Sequence, residues 1–225
     1  MPLERGPAPP TTLRPGEDEP DAVLVARFRA QQSRAAFETL VRRHQRGVYA
    51  FVRRFVKSHD DAADLTQRTF VRAMGSIGTF EGRSEFRTWL FRIAVNLCKN
   101  HHRDRGRRGE VAMDLERLDT LEAPGVAGAG GGGGDGGGAA LGPGGLITRE
   151  ETEAVRAAVE TLPPKQQMTL CLRVYQDMSF KEVAQAMGCR EGTAKVNFHH
   201  AVARLRRALA ERRGGAAGRD EDERP

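Results

Sequence analysis

The chain has 225 residues, room for one large domain or two small ones. Lys and Arg total 36 against 30 Asp and Glu, a net charge of +6 that favours a polyanionic partner. No apolar run approaches the roughly 20 residues that cross a bilayer. The three scattered cysteines, Cys98, Cys171 and Cys189, make no disulfide framework and fit a reducing cytoplasm.

The charge is unevenly placed. Residues 1–21 are net −3, 22–110 net +11, 111–152 net −5, 153–213 net +5 and 214–225 net −2. Two basic blocks separated by acidic sequence suggest one polyanion gripped at two places. Residues 125–145 hold 13 of the chain's 26 glycines. Such a segment buries too little apolar surface to repay ordering, so it reads as a flexible linker. Residues 1–20 and 214–225 read as disordered tails, and the first has no apolar core of a secretory signal. That leaves two modules, at about 21–110 and 150–213, with 111–149 as the linker.

In chain order, the first expected helix covers about 34–57. Phe37, Leu40, Val41, His44, Val48, Phe51, Val52, Phe55 and Val56 recur there at spacings of three and four. Ser58 or Asp60 can cap the next helix, which carries Leu65, Thr69, Ala73 and Met74 on one face. Gly75 and Gly78 break that pattern, and residues 77–85 read as a loop. A further helix from about Ser84 stacks Phe86, Trp89, Leu90, Ile93, Ala94 and Leu97.

In the second module, Val155, Ala158, Val159 and Leu162 mark a helix ending before Pro163. Pro163-Pro164 opens another, because Pro suits a first helical turn. Ser179 and Glu182 have capping-box spacing, ahead of a helix ending at Gly188. The last helix places Ala194, Phe198, Ala201, Leu205 and Ala208 on one face. Helix, short Gly turn, then a helix with a basic outer face is a helix-turn-helix layout. No stretch alternates with a period of two. The expected fold is therefore all-α: two small helical domains on a flexible Gly-rich linker, the second a helix-turn-helix.

Three stretches carry a resemblance: AADLTQRTFVRA at 62–73, FEGRSEFRTWLFRIAVNLCKNHHR at 80–103, and SFKEVAQAMGCREGTAKVNFHHAVARLRRAL at 179–209. They resemble the bacterial RNA polymerase sigma factors, most of all the small two-domain extracytoplasmic-function class. The run from Trp89 to Asn96 is the specific signal; the helix-turn-helix is shared by many regulators. The resemblance implies a region 2 domain at 21–110 that docks on the polymerase clamp helices and opens the −10 element. It implies a region 4 domain at 150–213 that reads the −35 duplex and contacts the polymerase flap. It also implies an anti-sigma partner, which would hold the protein at the membrane where that partner is membrane-bound.

Residue roles follow from the same likeness. Asp61, Asp64 and Gln67 match the clamp-binding face, although the family often has Glu where Ala63 stands. Phe80, Trp89 and Asn96 match the strand-opening positions. Melting needs unstacked bases held on apolar surface and read at their edges, and Asn96 offers both a donor and an acceptor. Phe80 in the loop would line a pocket for one flipped base, whereas the stripe through Phe86 and Ile93 makes Trp89 core rather than stacking platform. Arg92, Lys99 and Arg103 would follow the −10 backbone, a contact that supplies affinity without sequence information. Lys195, Val196, Asn197, His199, His200 and Arg204 form the −35 surface. The family commonly has Ser, Arg and Arg at Val196, Asn197 and His200, and a capping Ser at Arg190. A different −35 preference is therefore expected.

Other chemistry finds little support. Cys98, His101 and His102 sit at i, i+3 and i+4 but lack a fourth ligand, so no metal is expected. The glycines lack the Lys-Ser/Thr ending of a phosphate loop. No nucleophile with its base is evident. The expectation is a non-enzymatic protein without cofactor or small-molecule substrate, cytoplasmic and not inserted in a membrane. The competing readings are a free-standing helix-turn-helix regulator, for which the strand-opening segment would be superfluous, and a nuclease, for which no carboxylate pair is in view.

Overall fold

A computed structural model describes residues 18–56, 58–107 and 149–217, and every regular element among them is helical. The Gly-rich linker and most of both expected tails lie outside the described residues. The elements are α1 (Asp21–Gln31), α2 (Arg34–Val52), α3 (His59–Ser76), α4 (Phe86–Arg107), α5 (Arg149–Glu160), α6 (Pro164–Leu170), α7 (Phe180–Met187) and α8 (Glu191–Ala217). The chain divides into two compact units, 1–97 and 98–225, so the division falls within α4.

In the first unit the apolar stripes of α2, α3 and α4 close on one another. Leu40, Val48, Phe51, Val52, Leu90, Phe91 and Val95 are all essentially inaccessible to solvent. Full burial of such a side chain stabilises by about 1.5–3 kcal/mol, and this stripe is the main cohesive force of the unit. Thr66 and Thr69 lie in the core because their hydroxyls donate to the carbonyls of Ala62 and Leu65 one turn back. Ser58 caps α3, its hydroxyl accepting from the Asp61 N–H at 3.3 Å. That settles the choice between Ser58 and Asp60.

Several boundaries differ from the expectation. α2 stops at Val52 rather than near residue 57. Phe55 and Val56 are nonetheless buried, carried on a tight turn in which the Phe55 N–H bonds the Val52 carbonyl. Gly75 does not end α3, which runs to Ser76 and passes into a 3-10 turn over Ile77–Thr79. α4 begins at Phe86, two residues past Ser84. Met74 is 49% exposed and does not share the core face of Leu65 and Ala73.

A helix absent from the expectation, α1, precedes α2. It buries Leu24, Val25 and Phe28, and Phe28 meets Phe37 with ring centroids 5.3 Å apart. At its start, Asp21 accepts from Arg43 Nη1 at 2.8 Å and pairs with His44 Nε2 at 2.5 Å. His44, placed on the apolar stripe by sequence, is thus a half-buried hydrogen-bond partner of Asp21.

The second unit follows the sequence closely. Pro164 opens α6. Ser179 and Glu182 form a complete capping box at α7. Gly188, at φ 71°, ends α7 in the left-handed conformation that Gly adopts without steric cost. Val159, Leu162, Leu170 and Ala201 form the core, with Phe198, Val202 and Leu205 against it. One feature had no sequence signal: after α6 the chain continues as a π-helical turn over Cys171–Tyr175, leaving Val174 and Tyr175 exposed. At the other end, α8 extends to Ala217, into the segment expected as a tail.

Candidate nucleic-acid interface

The helix-turn-helix places α8 with its apolar stripe inward. Ala194 and Ala201 are inaccessible, while Lys195, Val196, His199, His200 and Arg204 are exposed and Asn197 is half-buried. Val196, His200 and Arg204 recur every four residues and so make one outward row. Lys195 Nζ lies 2.8 Å from Glu191 Oε1, one turn earlier, and over the Phe180 ring at 6.0 Å. Arg173 also stands over Phe180, at 5.3 Å from its centroid. Phe180 in turn packs edge-on against Phe198 at 5.4 Å. These contacts join the cationic surface to the core. The Arg173–Phe180 pairing was not foreseen, because it depends on the turn that brings residue 173 over α7.

In the first unit, Arg92 and Asn96 are exposed on α4, one helical turn apart. Lys99 is half-buried and Arg103 exposed, its Nη2 donating to Asn100 Oδ1 at 3.1 Å. The spacing 92, 96, 99, 103 places all four along one side of the helix. Asn96 therefore presents its amide to solvent, as edge reading of a base requires.

Phe80 is not placed as expected. It is 8% exposed, with its ring 5.1 Å from Trp89 and 6.2 Å from Phe86. It belongs to the wall of an aromatic cluster rather than to an open pocket. Trp89 is half-buried, 5.7 Å from Phe86, and shares that cluster. The reason is tertiary: the 3-10 turn carries Phe80 back over α4, which a loop reading cannot anticipate. Downstream, Gly82 at φ 73° turns the loop, and Glu81 pairs with Arg83 within it at 2.5 Å.

A groove of about 600 Å³ opens between α2 and α3. Val41, Tyr49, Gln67, Phe70, Val71 and Met74 line it, and Val71 is 57% exposed. Asp64 lies one turn before Gln67 on α3, paired with Arg68 at 2.8 Å, and Asp61 is half-buried near the helix start. The predicted polar stripe thus borders an apolar trough that the sequence reading missed. Val71 and Met74, three apart and exposed off the core face of α3, were the available signal.

Cys98 is fully buried, and burial pushes its thiol up to about 12, so it stays protonated at neutral pH. Among the described residues no three His, Cys, Asp or Glu side chains gather as a metal would require. Among the same residues no helix is long and apolar enough to cross a membrane.

The model of sigma-70 region 2 matches residues 40–108, and that of sigma-70 region 4 matches residues 152–205. The RNA polymerase sigma-H factor of Pseudomonas aeruginosa is 32% identical over 202 residues, covering 85% of this chain and 94% of that protein. The chain belongs to the sigma-70 family of RNA polymerase sigma factors. The ECF RNA polymerase sigma-E factor of Escherichia coli is 34% identical over 181 residues, 80% of this chain and 90% of that one. Among solved structures, CnrH in complex with the cytosolic domain of CnrY shares the fold. Its TM-score is 0.59 at 22% identity, over 85% of this chain and 97% of that one. The sigma factor RpoE in complex with the anti-sigma factor NepR from Bartonella quintana has a TM-score of 0.54 at 25% identity, covering 77% and 96%. This sigma factor is of the extracytoplasmic-function type and directs promoter-specific initiation by RNA polymerase. Its two matched regions fall on the two basic blocks, the first match starting 18 residues into its block. α1 lies ahead of both matched regions and, Asp21 apart, within the first basic block.

Proposed function

We propose a division of the sigma factor's work between named surfaces. Asp61, Asp64 and Gln67, with the apolar groove they border, dock on the clamp helices of core polymerase. Asn96 reads an unpaired −10 base while Arg92, Lys99 and Arg103 follow the backbone. Trp89 and Phe80 act as the aromatic wall behind that base. The outward row of α8, with Lys195, Val196, Asn197, His199, His200 and Arg204, reads the −35 duplex, and the second unit contacts the flap. Residues 21–110 and 150–213 are the two working domains and 111–149 the tether between them. Catalysis belongs to the polymerase. An anti-sigma protein, the kind of partner recorded with RpoE of Bartonella quintana, restrains this chain in the cytoplasm.

The observation that carries this reading is the placement of Asn96: exposed, in line with Arg92, and two helical turns along α4 from Trp89 on the same side of the helix. Strand opening needs an amide for the base edge, apolar surface for its face and cations for the backbone. The test is assembly with core polymerase on a sizing column, followed by transcription from a pool of genomic fragments. Selective transcripts that Asn96→Ala abolishes without loss of co-elution support the assignment. Loss of co-elution in that variant would move Asn96 to the docking surface.

A further inference from the structure

The loop 80–85 begins at a residue held from three sides. The Phe80 N–H donates to the Ile77 carbonyl at 3.2 Å, closing the 3-10 turn. Its ring is packed against Phe86 and Trp89. Its carbonyl accepts from Arg29 Nη1 at 3.1 Å, across 51 residues of sequence. The first two ties are local to the turn and the start of α4. The third comes from α1, outside the part of the chain matched to region 2.

α1 is itself firmly seated. Phe28, the neighbour of Arg29, is buried against Phe37, and Gln32 closes the helix with its N–H on the Phe28 carbonyl at 2.8 Å. Asp21 locks the other end to Arg43 and His44. The His44 ring packs on Phe86 at 5.6 Å, the ring that also supports Phe80. α1 therefore reaches the aromatic cluster twice, directly through Arg29 and indirectly through Asp21, His44 and Phe86. Past Phe80, Gly82 turns the chain at φ 73°, so the loop's course is set jointly by the anchored Phe80 carbonyl and the Gly82 turn.

The geometry points to Arg29 as a positioning residue for promoter opening. Its guanidinium fixes the carbonyl from which the loop 81–85 departs, and so fixes where that loop leaves the aromatic cluster of Phe80, Phe86 and Trp89. A guanidinium on a carbonyl is a charge-assisted bond, stronger than the neutral bond a water would offer in its place. Without it, Phe80 keeps its ring contacts but its peptide plane is free to rotate, and the loop samples several exits. The effect falls on the opened promoter, which needs one exit, rather than on docking to polymerase, which uses the groove between α2 and α3. The inference rests on the strand-opening role proposed above.

The experiment compares full-length Arg29→Ala, Arg29→Lys and Asn96→Ala, each assembled with core polymerase. Co-elution reports docking, permanganate reactivity of −10 thymines reports opening, and Trp89 fluorescence against urea reports stability. Arg29→Ala should reduce opening about tenfold with co-elution unchanged. Arg29→Lys, which keeps a charged donor, should recover most of the loss. Arg29→Ala opening as well as wild type, or losing co-elution in parallel, overturns the assignment, as does a Lys variant no better than Ala. Asn96→Ala separates the two levels. If it fails to open while Arg29→Ala opens normally, only the role of Arg29 falls. If both open normally, the strand-opening reading falls with it.

Discussion

Asp21→Asn tests whether α1 is an integral part of the first unit. The carboxylate accepts from Arg43 at 2.8 Å and meets His44 at 2.5 Å, and the three side chains are 24%, 26% and 13% exposed. A hydrogen bond to a charged group contributes about 1.5–3 kcal/mol when shielded from water, and an exposed ion pair about 0–1 kcal/mol. With about three-quarters of the carboxylate shielded and one acceptor retained by Asn, the expected loss is about 1–2 kcal/mol. In a domain of roughly 60–100 residues that lowers the melting temperature by about 4–16 °C. The chain's single Trp, Trp89, lies in the first unit beside Phe80 and Phe86, so its fluorescence follows that unit alone. The pH dependence supplies the sharper check. Burial raises the Asp21 pKa, but the hydrogen bonds and charges of His44 and Arg43 outweigh it and hold the carboxyl below its ordinary 3.8. A depressed carboxyl stabilises above its unfolded pKa and loses that contribution as pH falls through the folded value. The contribution of the carboxylate, and with it the gap between wild type and Asn, should therefore be lost as pH falls below about 4. Equal urea midpoints at pH 7, or a gap unchanged down to pH 2, would refute the reasoning.

Three further outcomes are expected. Ser179→Ala removes the cap of α7 and should cost the second unit about 1 kcal/mol, read by circular dichroism against urea while Trp89 fluorescence stays unchanged. Asp64→Arg should abolish co-elution with core polymerase, since like charges set opposite one another in an interface cost several kcal/mol. Its own ion pair with Arg68 is surface-exposed, so its stability should change by less than about 1 kcal/mol; normal co-elution removes Asp64 from the docking face. Arg204→Ala should weaken −35 duplex binding about 10- to 100-fold if it reads a base, with discrimination lost at one position. A uniform weakening across sequences, with a shallower salt slope, would instead make it a phosphate contact.

The helix-turn-helix was legible because its signals are local. Ser179 and Glu182 sit three apart and satisfy each other's backbone. Pro164 suits only a first turn, and Gly188 tolerates the left-handed exit that a side chain would strain. The apolar row of α8 likewise needs no knowledge of its partner to be read as a core face. The helices of the first unit were legible in kind but not in extent. Gly75 lowers helix propensity, yet α3 runs past it because Thr69, Phe70 and Ala73 are already packed.

What escaped the sequence depended on groups far apart in the chain. α1 is too short for its periodicity to stand out, and it is held by Asp21, Arg43, His44 and Phe37 rather than by propensity. Phe80 is apolar in a Gly-containing stretch, which reads equally as an exposed loop or a returning turn; only the rings of Phe86 and Trp89 choose between them. The groove between α2 and α3 belongs to neither helix alone. The amino-acid sequence by itself determined the helical class, the two basic modules, the helix-turn-helix with its caps and the family likeness, because each is set by spacing within a few turns. Only the tertiary structure decided which aromatic faces which, where Arg29 reaches and what lies open between helices, because those contacts join residues that no local period connects.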